Sequence, residues 1–198
     1  MGRLIALIVL LVLAIVFFIT FPIIKRKIVA KNYNVFCSKK IAAISEKNKF
    51  LFLTNLKLTN YAGEELKIDH ILFGRKYIYI LTNYFFNGDI KGTSINNSWI
   101  LEKRHDDGCE YIDNISHELS GKSGVFSEKI AANPELIVPI AIVNNDCEIK
   151  VNGINENSTF VVHYSSLKKL IKKLESRTIA DLDAEKVQNI YENLKDGN

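Results

Sequence analysis

The chain has 198 residues, 47% hydrophobic and 24% charged, with a formal net charge of +4. These fractions are ordinary for a globular protein and exclude the disordered, collagen-like and disulfide-scaffold classes. So small a charge also argues against a chain built to coat a polyanion; Arg3 precedes the apolar N-terminal run and every acid follows it, so the remainder is closer still to neutral. Cys37, Cys109 and Cys147 are scattered and form no CxxC pair, a usage that suits a reducing compartment.

Leu4 to Ile24 contains no charged residue, and only Thr20 and Pro22 interrupt its apolar character. As a helix rising 1.5 Å per residue it reaches about 31 Å, which matches a hydrocarbon core of roughly 30 Å. The run is longer than the apolar part of a secretory signal, and Phe21-Pro22-Ile23-Ile24 offers no small-x-small cleavage site. The expectation is an uncleaved anchor with its basic flank over residues 1–27, then one domain over 28–198. That domain is long enough to bury a core without disulfides or metals. Lys25, Arg26, Lys27 and Lys31 outweigh Arg3, which places the domain in the cytoplasm of a single-pass cell-membrane protein. The sequons at Asn96, Asn114 and Asn157 point the other way, but an Asn-rich chain produces such triplets by chance.

Val35 to Lys47 carries a helical pattern, and Phe50 to Leu58 begins apolar and then alternates as a strand does. Asn60 to Glu65 reads as a turn. Leu66 to Phe73 and Tyr77 to Thr82 read as strands joined by a tight turn at Gly74, too short a connection for a crossover, so they should pair antiparallel. Gly88-Asp89-Ile90-Lys91-Gly92 reads as a second turn, followed by Trp99 and a short strand ending near Leu101. His105 to Gly108 is a turn cluster. Asn114 to Ala132 has a helical pattern weakened by Gly121 and Gly124. Leu136 to Val143 is a buried strand in which Pro139 suggests an edge or bulge, and Phe160 to Tyr164 is another strand. From about 165 the tail is helical: Ser165 or Ser166 caps one helix and Asp181 or Asp183 a second.

Ile68-Asp69-His70, Gly74, Gly88-x-Ile90-x-Gly92 and Trp99 stand in the order and at the spacing of the nuclease-related domain, and the chain resembles that family over about residues 34 to 175, most clearly from 66 to 99. The resemblance implies a restriction-endonuclease-like α/β (α+β) sandwich, with a central mixed sheet flanked by helices. It also implies Mg²⁺ held between an Asp on one strand and a Glu on the next, with a Lys two residues beyond that Glu. Residues i and i+2 of a strand share a face, so Glu and Lys point together into the pocket and the Asp arrives across the ladder. In this chain Asp69 stands at the Asp position, while Leu81 and Asn83 are read at the Glu and Lys positions. The family's Gly-Glu on its first helix would fall near Tyr33-Asn34, where no acid stands. Its Asn-Pro followed by Gln is also missing, since Ile115 follows Asn114 and the only glutamine is Gln188. The implied fold is therefore retained while the implied chemistry is depleted, which leaves Asp69 as a vestigial catalytic candidate.

The other constellations have plain readings. Gly121-Lys122-Ser123 lacks the leading glycine of a phosphate loop. His70, His105, His117 and His163 show no metal-ligand spacing with the cysteines, and His70 beside Asp69 reads as structural because neighbours on a strand face opposite ways. Tyr77, Tyr79, Tyr84, Phe85 and Phe86 read as core packing. Lys168, Lys169, Lys172 and Lys173 form a basic helix face, either solvated or in contact with phosphates or anionic lipid. The expected function is a membrane-anchored domain that binds or scaffolds without cutting, its partner a nucleic acid or a membrane-associated protein, with no small-molecule cofactor. The alternative is an Mg²⁺-dependent nuclease whose second carboxylate has migrated to Glu64 or Glu65.

Overall fold

The computed structural model describes residues 2–59, 63, 65–104, 108–154 and 159–196, with side chains from residue 9 onward. The predicted turns at Asn60–Glu65 and His105–Gly108 fall largely outside these residues, as do Glu64, His105 and Asn157. The chain separates into two compact units, Met1–Phe36 and Cys37–Asn198. In the first, helix α1 (Gly2–Lys31) carries Pro22 and continues through the basic cluster. Within Val9–Lys31 an 18-residue stretch has a mean hydropathy of 2.3 and none of it is buried, so one N-terminal helix is long and apolar enough to cross a membrane.

The second unit contains two mixed sheets flanked by helices. The five-stranded sheet has the order β1 (Leu51–Thr59), β2 (Glu65–Phe73), β3 (Ile78–Tyr84), β7 (Ile137–Val143), β9 (Phe160–His163). β2 and β3 pair antiparallel as expected, closed by the Gly74 N–H donating to the Tyr77 carbonyl at 2.9 Å. β7 then adds parallel to β3, and β9 parallel to β7. β7 is buried at every position, and Pro139 pairs with Ile80 near the middle of the sheet, not at its edge. It is tolerated because β9 pairs only from Ile140 onward, so one flank of β7 is open at the proline.

The four-stranded sheet has the order β6 (Cys109–Asp113), β5 (Ser98–Lys103), β4 (Gly88–Thr93), β8 (Ile149–Asn152). It corrects the expected turn at Gly88–Gly92, which is strand β4. Its glycines serve close approach, not reversal: a Cβ at Gly88 would lie 2.0 Å from the Glu102 carbonyl, and one at Gly92 would lie 2.6 Å from the Trp99 ring. Trp99 is fully buried and donates its indole N–H to the Thr93 carbonyl at 2.8 Å. Asn114 caps α3 (Ile115–Lys129) by accepting from the Ser116 N–H; at 1% exposure it has no room for a glycan.

The two faces of the five-stranded sheet have different covers. Ile71, Phe73, Ile78, Ile80 and Ile137 pack with Phe126 of α3 and Leu194 of α5 (Ala184–Asp196). On that side Ala141 and Val143 join Ile90 and Trp99 of the second sheet and Ile115 and Leu119 of α3. The opposite face carries Tyr79, whose hydroxyl donates to Glu175 of α4 (Leu167–Glu175) at 2.6 Å. Beside α4 runs α2 (Tyr33–Asn48), where Cys37, Ile41 and Ile44 are buried at helical spacing. Asp183 accepts from the Glu185 N–H at 2.9 Å and caps α5, whereas Ser166 precedes α4 without a side-chain cap bond.

Candidate functional site

Asp69 lies where β2 parts from β3. The ladder between them runs from Phe73↔Ile78 to His70↔Leu81 and stops, while β3 continues along β7 to Tyr84↔Val143. In the opening Asp69 accepts the Asn83 backbone N–H on Oδ2 at 2.9 Å, so a carboxylate takes the place of a strand carbonyl. The β1 residue across from Asp69 is also irregular. Asn55 has φ 54° and drops out of the pairing between Thr54↔His70 and Leu56↔Ile68. Asparagine adopts this left-handed conformation more readily than most residues, and local strain of this kind collects at functional positions.

The side chains of Leu81 and Asn83 lie on the sheet face away from the Asp69 carboxylate. Leu81 is opposite His70 and fully buried, and Asn83 Nδ2 lies 2.8 Å from His70 Nε2. Both belong with Tyr79 on the face toward α4. Burial lowers the His70 pKa to about 4, against the opposing pull of Asp69, so the ring is neutral and packs on Phe52. The alternation that puts Ile78 and Ile80 on the α3 face carries Thr82 and Tyr84 there too.

Tyr84 is the hub on that face. Its hydroxyl donates to Glu118 Oε2 at 2.7 Å, and its ring stacks on Phe86. Glu118 Oε1 is 2.6 Å from Lys122 Nζ one turn along α3. Burial pushes the Tyr84 pKa far up, and Glu118 and then Asp69 add their negative charges, so the phenol stays protonated and both carboxylates lie within electrostatic reach of it. Thr82 Oγ1, on the same face, is buried without a hydrogen-bond partner. The sequence reading missed Tyr84, Glu118 and Lys122 as a group. Its available signal was the i, i+4 Glu-Lys pair on a helix capped by Asn114.

The remaining candidates lie elsewhere. Glu65 pairs opposite Thr59 at the far end of β2, exposed and 2.8 Å from Lys57. Four residues of strand put it about 13 Å along β2 from Asp69, too far to share a metal ion. Glu64 is outside the described residues. Lys122 of the Gly121-Lys122-Ser123 triplet sits in mid-helix. His163 Nε2 lies 2.8 Å from the Cys147 carbonyl, and the three cysteines are free thiols. Lys168, Lys169, Lys172 and Lys173 are exposed on α4, around its buried stripe of Leu167, Ile171 and Leu174. Among the described residues no group of three or more His, Cys, Asp or Glu is arranged to hold a metal ion.

No curated protein matches the chain. A solved structure, described as the crystal structure of protein of unknown function AF1548, is 16% identical, with 81% of this chain and 78% of that chain covered at a TM-score of 0.39. The sequence profile of the nuclease-related domain matches residues 35–143. That span takes in α2, the Asp69 strand, both sheets' central strands and α3; the chain belongs to the nuclease-related domain family, whose general fold is restriction-endonuclease-like.

Proposed function

We propose that this protein is a single-span membrane protein whose cytoplasmic nuclease-related domain binds a partner and does not cut nucleic acid. The observation that carries the reading is the company of Asp69. The positions on its side of β3 hold Thr82 and Tyr84, a neutral hydroxyl and a phenol held protonated, where the chemistry asks for a carboxylate and an ammonium. Mg²⁺ binds through one or two carboxylates plus substrate phosphates in near-octahedral geometry. Asp69 is partly occupied by the Asn83 N–H, and Glu118 is paired with Lys122 and accepts the Tyr84 hydroxyl. The donor set does not suit the ion. The basic cluster at the C-terminal end of α1 supports the cytoplasmic orientation.

One observation favours the enzyme reading: the charges of Glu118 and Asp69 both act on Tyr84, which makes Glu118 a candidate for the second carboxylate, whereas Glu65 lies at the far end of β2. Cleavage of plasmid and single-stranded DNA by the full chain with Mg²⁺ or Mn²⁺ decides between the two. The expected result is no divalent-dependent product above that of Asp69→Ala, since loss of preorganised charge at such a centre costs on the order of 10²–10³ in rate per group. Cleavage abolished by both Asp69→Ala and Glu118→Gln establishes the rebuilt centre instead.

A further inference from the structure

On the sheet face away from Tyr84, a groove between α2 and α4 gathers cations from three elements. Lys47 comes from α2, Lys168 and Lys172 from successive turns of α4, and Arg75 from the β2–β3 turn. Ile44, Phe50 and Ile171 form an apolar floor, and the groove encloses about 580 Å³, the size of a small-ligand site. The one carboxylate at its edge, Glu175, is already engaged by the Tyr79 hydroxyl at 2.6 Å and the Arg75 N–H at 3.1 Å. Among the described residues, none of Lys47, Lys168 and Lys172 joins an ion pair. Burial chiefly lowers the Lys40 pKa; Cys37 opposes this, and the charge of Lys168 adds a smaller lowering. Like charges converge here in a domain that is nearly neutral as a whole.

This combination fits a compact anion attached to an apolar body. A long polyanion would be met by a continuous basic stripe and stacking aromatics; this groove is short, and its floor offers one aromatic ring and no hydrogen bonds. The candidate span ends at Lys31 and Lys47 follows in the same stretch of chain, so bilayer headgroups are present at high effective concentration. We propose that the groove binds a single anionic phospholipid headgroup, with the phosphate among Lys47, Lys168 and Lys172 and the glycerol over Ile44 and Ile171. The site does not depend on whether Asp69 retains any activity.

The test uses the full chain in phosphatidylcholine nanodiscs, titrated calorimetrically at physiological salt with dihexanoyl phosphatidylglycerol below its micellar concentration. Saturable binding is expected, weakened about fivefold by each of Lys47→Gln, Lys168→Gln and Lys172→Gln. Lys173→Gln, outside the groove lining, should leave it unchanged, and circular dichroism of every variant checks that each is folded. Dihexanoyl phosphatidylcholine, glycerol 3-phosphate and inorganic phosphate should bind much more weakly. Equal binding of inorganic phosphate would make this a free-anion site and overturn the proposal. So would a single-stranded oligonucleotide that competes for these lysines while the lipid is inert, or lipid binding that survives all three groove substitutions.

Discussion

Asp69 and His70 are adjacent in sequence and belong to opposite sides of the sheet, one reaching toward Tyr84 and the other sealed under α4 with Leu81 and Asn83. The structural role of His70 was legible because neighbouring strand residues alternate. The partners of Asp69 were not, because a one-residue shift in register exchanges every side chain between faces. Placing the Glu and Lys positions at Leu81 and Asn83 put them on the His70 side. The burial of His70 has a measurable consequence. Its pKa falls from 6.5 in the unfolded chain to about 4 in the folded one, so between those values the unfolded chain takes up a proton that the folded chain refuses. Stability is therefore unaffected above pH 6.5 and falls as the pH drops through that window. Urea unfolding at pH 7 and pH 5 should show a loss of about 2 kcal/mol attributable to this group. His70→Gln should lack that part of the loss; an unchanged pH dependence in the variant would show that the ring is not held neutral.

Elements with strong periodicity were readable: the α2 stripe, the Gly74 hairpin and the amphipathic tail each follow from spacing and turn chemistry, while α3 was a weaker pattern because of Gly121 and Gly124. The four-stranded sheet was not. Gly88 and Gly92 resemble turn residues in sequence, yet they are small because the Glu102 backbone and the Trp99 ring pass against them. Only the fold reveals that contact. Cys109–Asp113 and Ile149–Asn152 are short and largely exposed, too weak a pattern to register alone. Glycine chemistry should therefore split by location. Gly88→Ala, against rigid backbone, should cost about 1–3 kcal/mol through forced shifts of β5. Gly124→Ala, with open space around it in mid-α3, should stabilise by up to about 1 kcal/mol. Thermal unfolding of the two variants checks both signs, and a stabilising Gly88→Ala would contradict the packing of β4 on β5.

At the scale of the whole molecule, one apolar N-terminal helix precedes a domain of the nuclease-related family. Composition and hydropathy made the helix evident, since about 21 apolar residues need no tertiary context to be recognised. Gly88, Gly92 and Trp99 exposed the fold for a related reason: close packing tolerates few substitutes at those positions. A catalytic centre depends instead on which side chains converge from distant strands and helices, and Glu118 joins Tyr84 across 34 positions of sequence. The central claim is that this convergence does not make a divalent-ion site. Mn²⁺ titration of the full chain followed by electron paramagnetic resonance tests it without reference to turnover. The account predicts the same weak, non-saturating uptake for the native protein, Asp69→Ala and Glu118→Gln; a saturable site in the native protein that both substitutions remove would contradict it.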